Sequence, residues 1–252
     1  MERKNILITN DDGIHAEGLV SLEALLSEIG NCKTVAPATQ MSGVSQSITL
    51  HDPVRLEEHG PNRYAIRTGT PTDCVFVAIS HLYEKKPDLV VSGINYGVNV
   101  ASDVVYSGTV AGAREGVLQG IPGIAISMES GENWDPSHGF PFLKTIIEHH
   151  MANERLHGAI LNINIPHPKR GPIQGIRTTS LGSRRFENTV AVCEDPRGQE
   201  YLWVGGSVAA IHAPKGSDCA ALQDAYISVT AVAPFAEDKK AAAELPDGEW
   251  PA

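Results

Sequence analysis

Cysteine is scarce in this 252-residue chain. Cys32, Cys74, Cys193 and Cys219 lie far apart with no C-x-x-C pair, which argues against a disulfide framework or a thiolate zinc site and predicts reduced, packed thiols. No apolar run approaches the ~18–20 residues that a membrane span needs. The opening MERKNILIT lacks the long apolar core and small-residue cleavage site of a secretory leader. The expectation is a cytoplasmic protein with no membrane partner. Basic residues are in deficit, 20 Lys and Arg against 30 Asp and Glu for a net charge of −10, and no basic cluster is visible. That balance argues against a nucleic-acid polymer as partner, because affinity for a phosphate backbone comes from clustered cations that release counterions. A small phosphorylated substrate stays compatible, since one local cation and a few backbone N–H groups outweigh the net charge of the whole molecule.

What is present is a core-forming α/β pattern. Hydrophobic residues make up 42% of the chain, enough at this length to bury roughly 70–75% of the unfolded surface. NILIT is a short apolar strand, and HAEGLVSLEALLSEIG follows with Leu19, Leu22, Leu25, Leu26 and Ile29 on one helical face before Gly30. KTVAP, PDLVVSGIN, IPGIAISM and GAILNINIP read as further strands, while GTPTDCVFVAISHLYEKKP, VAGAREGVLQG and HGFPFLKTIIEHHM read as helices. In the first of these helices Thr70 can cap, Pro71 suits the first helical position and Asp73 faces the first-turn amides. This alternation predicts a Rossmann-like, mostly parallel sheet with helices on both faces and a site at the carboxyl ends of the strands.

From about Gly171 the pattern becomes period-two and turn-rich. RRFENTVAVCEDPRGQEYLWVGG predicts a long hairpin turning at Asp195-Pro196-Arg197-Gly198. Val190, Val192, Tyr201, Leu202 and Trp203 have no obvious helix to cover them, so the reading is an arm packed on another subunit, with a β-subdomain folded on its own core as the alternative. The tail FAEDKKAAAELPDGEWPA is polar, acidic and expected at the periphery. The expected organisation is a single α/β domain over residues 1–252, with a core over about 1–170 and the hairpin arm and C-terminal segment over about 171–252.

Chemistry concentrates in three polar loops. The first strand runs straight into Asp11 and Asp12. Adjacent carboxylates at the mouth of a low-dielectric core repel each other unless a cation joins them. NDDG also reads as a plain turn, in which Asn and Asp bond nearby amides and the next helix gains an acidic cap. APATQMSG offers Ser42 after the second strand, and SGINYGVN offers Asn95 and Asn99 after the strand Leu89 to Val91. Two carboxylates, a hydroxyl and an amide oxygen are hard donors whose charge of −2 suits one divalent ion, Mg²⁺ or Mn²⁺. Ser107-Gly108-Thr109 precedes a helix, so its hydroxyls and free amides form an anion site or a simple helix cap. His15 is the one histidine near the Asp pair and reads as a capping or surface group.

The ordered set TNDDGIHAEG, APATQMSG, GTPTDCV, VVSGINYGVN and YSGTVAGAREG, over roughly residues 4 to 130, resembles the SurE family of metal-dependent 5′/3′-nucleotidases. The later hairpin is similar to that family's extended arm. The resemblance implies metal ligation by Asp11, Asp12, Ser42 and Asn95, with the Asp pair catalytic, and phosphate contacts around Asn99, Ser107, Gly108 and Thr109. It further implies a nucleoside monophosphate substrate, activity on short polyphosphate, and a homodimer or homotetramer built through the arm. One departure is that APATQMSG lacks the basic residues often found in that loop of the family. A haloacid-dehalogenase-like phosphatase needs an acid two residues after its nucleophile, where this chain has Gly13. A non-enzymatic nucleotide or metal sensor is the other alternative.

Overall fold

The computed structural model describes residues 3–186, 189–205 and 208–235. In chain order the elements are β1 (Lys4–Thr9), α1 (Glu17–Ile29), β2 (Gly30–Pro37), β3 (Arg55–Gly60), β4 (Arg63–Arg67), α2 (Pro71–Val77), β5 (Leu89–Tyr96), α3 (Asp103–Tyr106), α4 (Gly108–Leu118), β6 (Gly123–Met128), α5 (Phe140–Ala152), β7 (Ile160–Ile165), β8 (Ile176–Thr178), β9 (Ser183–Phe186), β10 (Thr189–Glu194), β11 (Glu200–Gly205), β12 (Val208–His212), α6 (Asp218–Gln223) and β13 (Ile227–Val232). Nine strands make one sheet in the order β3–β4–β2–β1–β5–β6–β7–β13–β8. β4, β2, β1, β5, β6 and β7 run parallel, and β3 and β13 are antiparallel to β4 and β7.

The parallel strands are apolar on both sides because both faces are covered. Ile6, Ile8, Val91, Ile126 and Ile163 pack with Leu19, Leu22, Leu26 of α1 and Leu143, Ile147 of α5. Leu7, Val35 and Val90 look the other way and meet Cys74 and Val75 of α2, while Ala125 and Ile160 meet Val110, Ala113 and Val117 of α4. Helices therefore stand on both faces, as the alternation of the sequence predicts. The start of α2 is fixed by a reciprocal cap: Thr70 Oγ1 accepts from Asp73 N–H at 3.1 Å and Asp73 Oδ2 accepts from Thr70 N–H at 2.8 Å. α2 ends at Val77 and passes into one wider turn over Ala78–Leu82, so it is shorter than the sequence suggests.

Past residue 170 the chain does more than form an arm. β8 and β13 extend the main sheet beyond β7, and between them β9 to β12 build the predicted two-stranded ribbon. β10 pairs with β11 from Thr189↔Gly205 to Glu194↔Glu200, and β9 pairs with β12 as far as Ser183↔His212, so the ribbon is longer than the sequence reading gave it. Asp195 closes its tip: its Oδ1 accepts from Arg197 and Gln199 N–H at 2.8 and 2.9 Å, and its own N–H reaches Gln199 C=O at 2.8 Å. Residues 236–252, which hold nearly all of the acidic tail, lie outside the described residues, as do Glu187 and Asn188 within the ribbon. Among the described residues no helix is long and apolar enough to cross a membrane.

Candidate functional site

The turn after β1 is built by Asn10, not by the aspartates. Asn10 Nδ2 donates to Gly13 C=O at 3.1 Å and its Oδ1 accepts from Gly13 N–H at 3.2 Å, with Gly13 at φ +102°, a region that favours glycine. α1 begins after Ala16 with no side-chain cap. Asp11 and Asp12 are thus spent on neither the turn nor the helix, and the plain-turn alternative for them is not what the structure shows.

Asp11 is buried, and its carboxyl is pushed up to about 6, first by burial and further by the neighbouring charge of Asp12, against the pull of the Thr109 hydroxyl. Burial also raises Asp12, whose Oδ2 accepts from Tyr96 N–H at 3.2 Å. Among the described residues no Lys, Arg or His forms an ion pair with either carboxylate.

A cleft of about 250 Å³ opens over Asp11 at the carboxyl edge of the sheet and brings together Asp11, Ser42, Asn95, Asn99 and Ser107, while Asp12 lies outside its lining, bonded to the N–H of the lining residue Tyr96. The β2 loop is tied to the first by Met41 N–H donating to Asp11 C=O at 2.7 Å. Ser42 is exposed there, its Oγ accepting from Gln40 Nε2 at 3.0 Å. Asn95 donates through Nδ2 to Gly97 C=O at 2.7 Å, which leaves its Oδ1 as a donor atom for a ligand. Ser107 caps α4, its Oγ accepting from Val110 N–H at 3.1 Å. Thr109 is fully buried behind Asp11 and donates to its Oδ1 at 2.5 Å. Gly108 is the contact between α4 and the acidic pair: a Cβ there would lie 2.7 Å from Asp11 Cβ and 2.9 Å from its Oδ2. His15 is exposed, its ring 5.4 Å from that of His59 and outside the cleft lining.

Other groups at the site went unread in the sequence. Tyr96 and Tyr106 line the same cleft and are 54% and 64% exposed. Ser127, Asn162 and Asn164 lie fully buried beneath Asn99 and bond to it. Their signal was two asparagines at i and i+2 on one face of the otherwise apolar ILNINI. A larger hollow of about 570 Å³ lies at the opposite, amino end of the strands. Of its two lysines, Lys33 and Lys85, Lys33 is spent on Leu82 C=O and the Tyr83 ring, and the hollow holds no carboxylate pair.

Fold and site together define an α/β protein with an acidic, oxygen-lined cleft where ligands bind in open parallel sheets. The family described as survival protein SurE matches residues 6–188, and the chain belongs to that family. It is 41% identical over 237 residues to a protein named 5′-nucleotidase SurE from Caldanaerobacter subterraneus subsp. tengcongensis, covering 92% of each chain. A relative of the same name from Rhodopseudomonas palustris is 44% identical over 239 residues, 89% of this chain and 91% of that one. The protein named 5′/3′-nucleotidase SurE of Erwinia tasmaniensis is 40% identical over 229 residues, 90% and 89% of the two chains. The crystal structure of the SurE protein from Aquifex aeolicus superposes with a TM-score of 0.83 at 34% identity, covering 96% of this chain and 98% of that one.

Proposed function

We propose that the chain is a cytoplasmic, metal-dependent phosphomonoesterase that hydrolyses nucleoside 5′-monophosphates to nucleoside and phosphate, with 3′-monophosphates and short polyphosphate as further substrates. Its relatives' names support the nucleotidase class. The observation that carries the reading is the Asp11–Asp12 pair, half-buried or more, raised by burial, and without a cation among the described ion pairs. Such a pair is stable as two anions only with positive charge beside it.

The residues present fit one divalent ion. Asp11, Asp12, Ser42 Oγ and Asn95 Oδ1 are hard oxygen donors, and among the described residues no group of three His, Cys, Asp or Glu side chains offers a softer alternative. When bound, Mg²⁺ or Mn²⁺ would neutralise the pair, draw in a phosphoryl oxygen and lower the pKa of a water.

The chain's own groups do the rest. Thr109 holds Asp11 in one orientation. The Gly108 N–H at the start of α4 faces the charge that develops on phosphoryl oxygens, the Thr109 and Val110 amides being spent on Asp11 and on Ser107 Oγ. Asn99 supplies an amide donor from the other wall of the cleft.

The ribbon fits a self-association role. Its register puts Val190, Val192, Leu202 and Val204 on one face and Ala191, Cys193, Tyr201 and Trp203 on the other, so each face carries exposed apolar side chains. We take the arm to join copies of the chain as a homodimer or homotetramer. A panel of nucleotides, tripolyphosphate and p-nitrophenyl phosphate, assayed with each of several divalent ions, tests the activity. Phosphate release that is fastest from nucleoside monophosphates and stops with EDTA is the expected result. No release with any ion would leave a nucleotide-binding protein without turnover.

A further inference from the structure

We infer that Asn162 and Asn164 of β7 are positioning residues that set Asn99 for phosphate, an inference that rests on the nucleotidase reading above. A strand covered on both faces ordinarily carries apolar residues there, and burying a carboxamide costs free energy unless its bonds are made. β7 has its full ladder to β6 and β13 through its backbone, so the sheet itself does not need either side chain. Both are instead used on one residue of the loop that crosses above them. Asn164 Oδ1 accepts from Asn99 N–H at 2.8 Å, while Asn162 Nδ2 and Asn164 Nδ2 donate to Asn99 C=O at 2.8 and 3.1 Å.

The Asn99 side chain is held from the same level of the sheet. Its Nδ2 donates to Ser127 Oγ at 2.7 Å, and Ser127 is the register partner of Asn164. A carboxamide nitrogen has two hydrogens, so with one fixed on Ser127 the second remains for a phosphoryl oxygen. Gly97 N–H to Met128 C=O and Ala101 N–H to Asp218 Oδ2, each 2.8 Å, pin the loop on either side. These pins leave the height of Asn99 above the sheet to the two asparagines. A shift of about 1 Å in such a group is enough to cost a large factor in rate or binding.

A cycle of Asn164→Ala, Asn99→Ala and the double variant tests this. The readouts are kcat and KM for a nucleoside monophosphate with Mn²⁺, the inhibition constant of inorganic phosphate, the phosphate-induced shift in melting temperature, and the melting temperature itself. In the wild-type background Asn164→Ala should raise KM and weaken phosphate about tenfold or more. In the Asn99→Ala background it should change neither, while lowering the melting temperature equally in both. Equal losses of phosphate affinity in the two backgrounds would overturn the positioning role. Should Asn164→Ala not fold, Asn162→Ala reads the same cycle with the Asn99 N–H bond intact. Asn99→Ala with unchanged KM and phosphate affinity would overturn the inference and leave nucleotidase turnover standing, whereas a wild type without turnover would remove both.

Discussion

Thr109 and Asp11 lie 98 positions apart, yet the threonine hydroxyl donates to Asp11 Oδ1 at 2.5 Å inside the protein. With Gly108 admitting the Asp11 side chain so closely that any Cβ would collide, the first turn of α4 is built as a seat for that carboxylate. The site is therefore a joint product of the first strand and of a helix on the opposite side of the sheet from α1.

Removing the seat should disable the site without unfolding it. A hydrogen bond to a charged group contributes about 1.5–3 kcal/mol, so Thr109→Val, close in shape, should lower kcat/KM by roughly 10- to 150-fold, and Thr109→Ser should recover most of it. Wild-type kcat/KM in Thr109→Val would remove the bond from catalysis.

Asp11→Asn and Asp12→Asn each take one charge from the pair at nearly constant shape. Turnover should vanish in both, and the melting temperature without metal should hold or rise as the buried charge is relieved. Mn²⁺ should stabilise the wild type by mass action, because a site gathered from two loops and the end of β5 does not exist in the unfolded chain. Asp12→Asn should lose most of that stabilisation. Equal metal-induced shifts in the two proteins, read by calorimetry, would place the ion elsewhere.

How far this was legible in the sequence depends on the distance over which each feature is decided. β1, α1 and the α2 cap are local patterns of spacing and end residues, and they read directly. The ribbon read correctly around Asp195 but too short at its base, because Ser183–Phe186 and Val208–His212 pair only through the register set further out. The place of β13 between β7 and β8, antiparallel to one and parallel to the other, is settled by partners more than 45 residues away. The residues proposed to hold the metal stand out locally, as acidic and polar groups that follow apolar runs. Asn162 and Asn164 could not, since a polar residue inside a buried strand acquires a meaning only when its partner, here Asn99, is known.

His150 gives the fold a pH dependence of its own. It lies on the inner face of α5, fully buried, and neither ring nitrogen has a partner among the described residues. Its pKa is pushed down to about 4, by burial first and then by His157 and His149. The unfolded chain, with an ordinary value near 6.5, binds the proton more tightly, so stability is complete above about pH 6.5 and falls as pH drops toward 4. The loss is roughly 3 kcal/mol over that window. In His150→Leu this share of the slope should disappear from denaturant titrations run from pH 7 to 4. An unchanged slope would show that other groups carry it.

The arm should govern assembly. Its apolar residues are exposed on both faces, Trp203 at 66% and Val204 at 87%, and a two-stranded ribbon does not bury such groups by itself. Deleting the ribbon near residues 185 to 204 should give a smaller species in sedimentation, and Leu202→Lys with Trp203→Glu should do the same with the ribbon retained. A full-length chain that is already monomeric at micromolar concentration would refute the arm's role.

The stereochemistry at phosphorus decides which group attacks it. A covalent route needs a carboxylate free to act as nucleophile and an acid to serve the leaving group. Asp11 has one oxygen fixed by Thr109, Asp12 has one held by the Tyr96 N–H, and the position two residues after Asp11 is Gly13, which has no acid to give. Both carboxylates are better suited to holding charge than to forming a bond, so transfer should go directly and in line to water. A single displacement inverts the configuration, whereas formation and hydrolysis of an aspartyl phosphate make two displacements and retain it. A nucleotide chiral at its phosphorus, hydrolysed in labelled water, should therefore give inverted phosphate, with no phosphorylated enzyme trapped on quenching. Retention, or a phosphopeptide containing Asp11 or Asp12, would assign the attack to a carboxylate while leaving the nucleotidase activity itself in place.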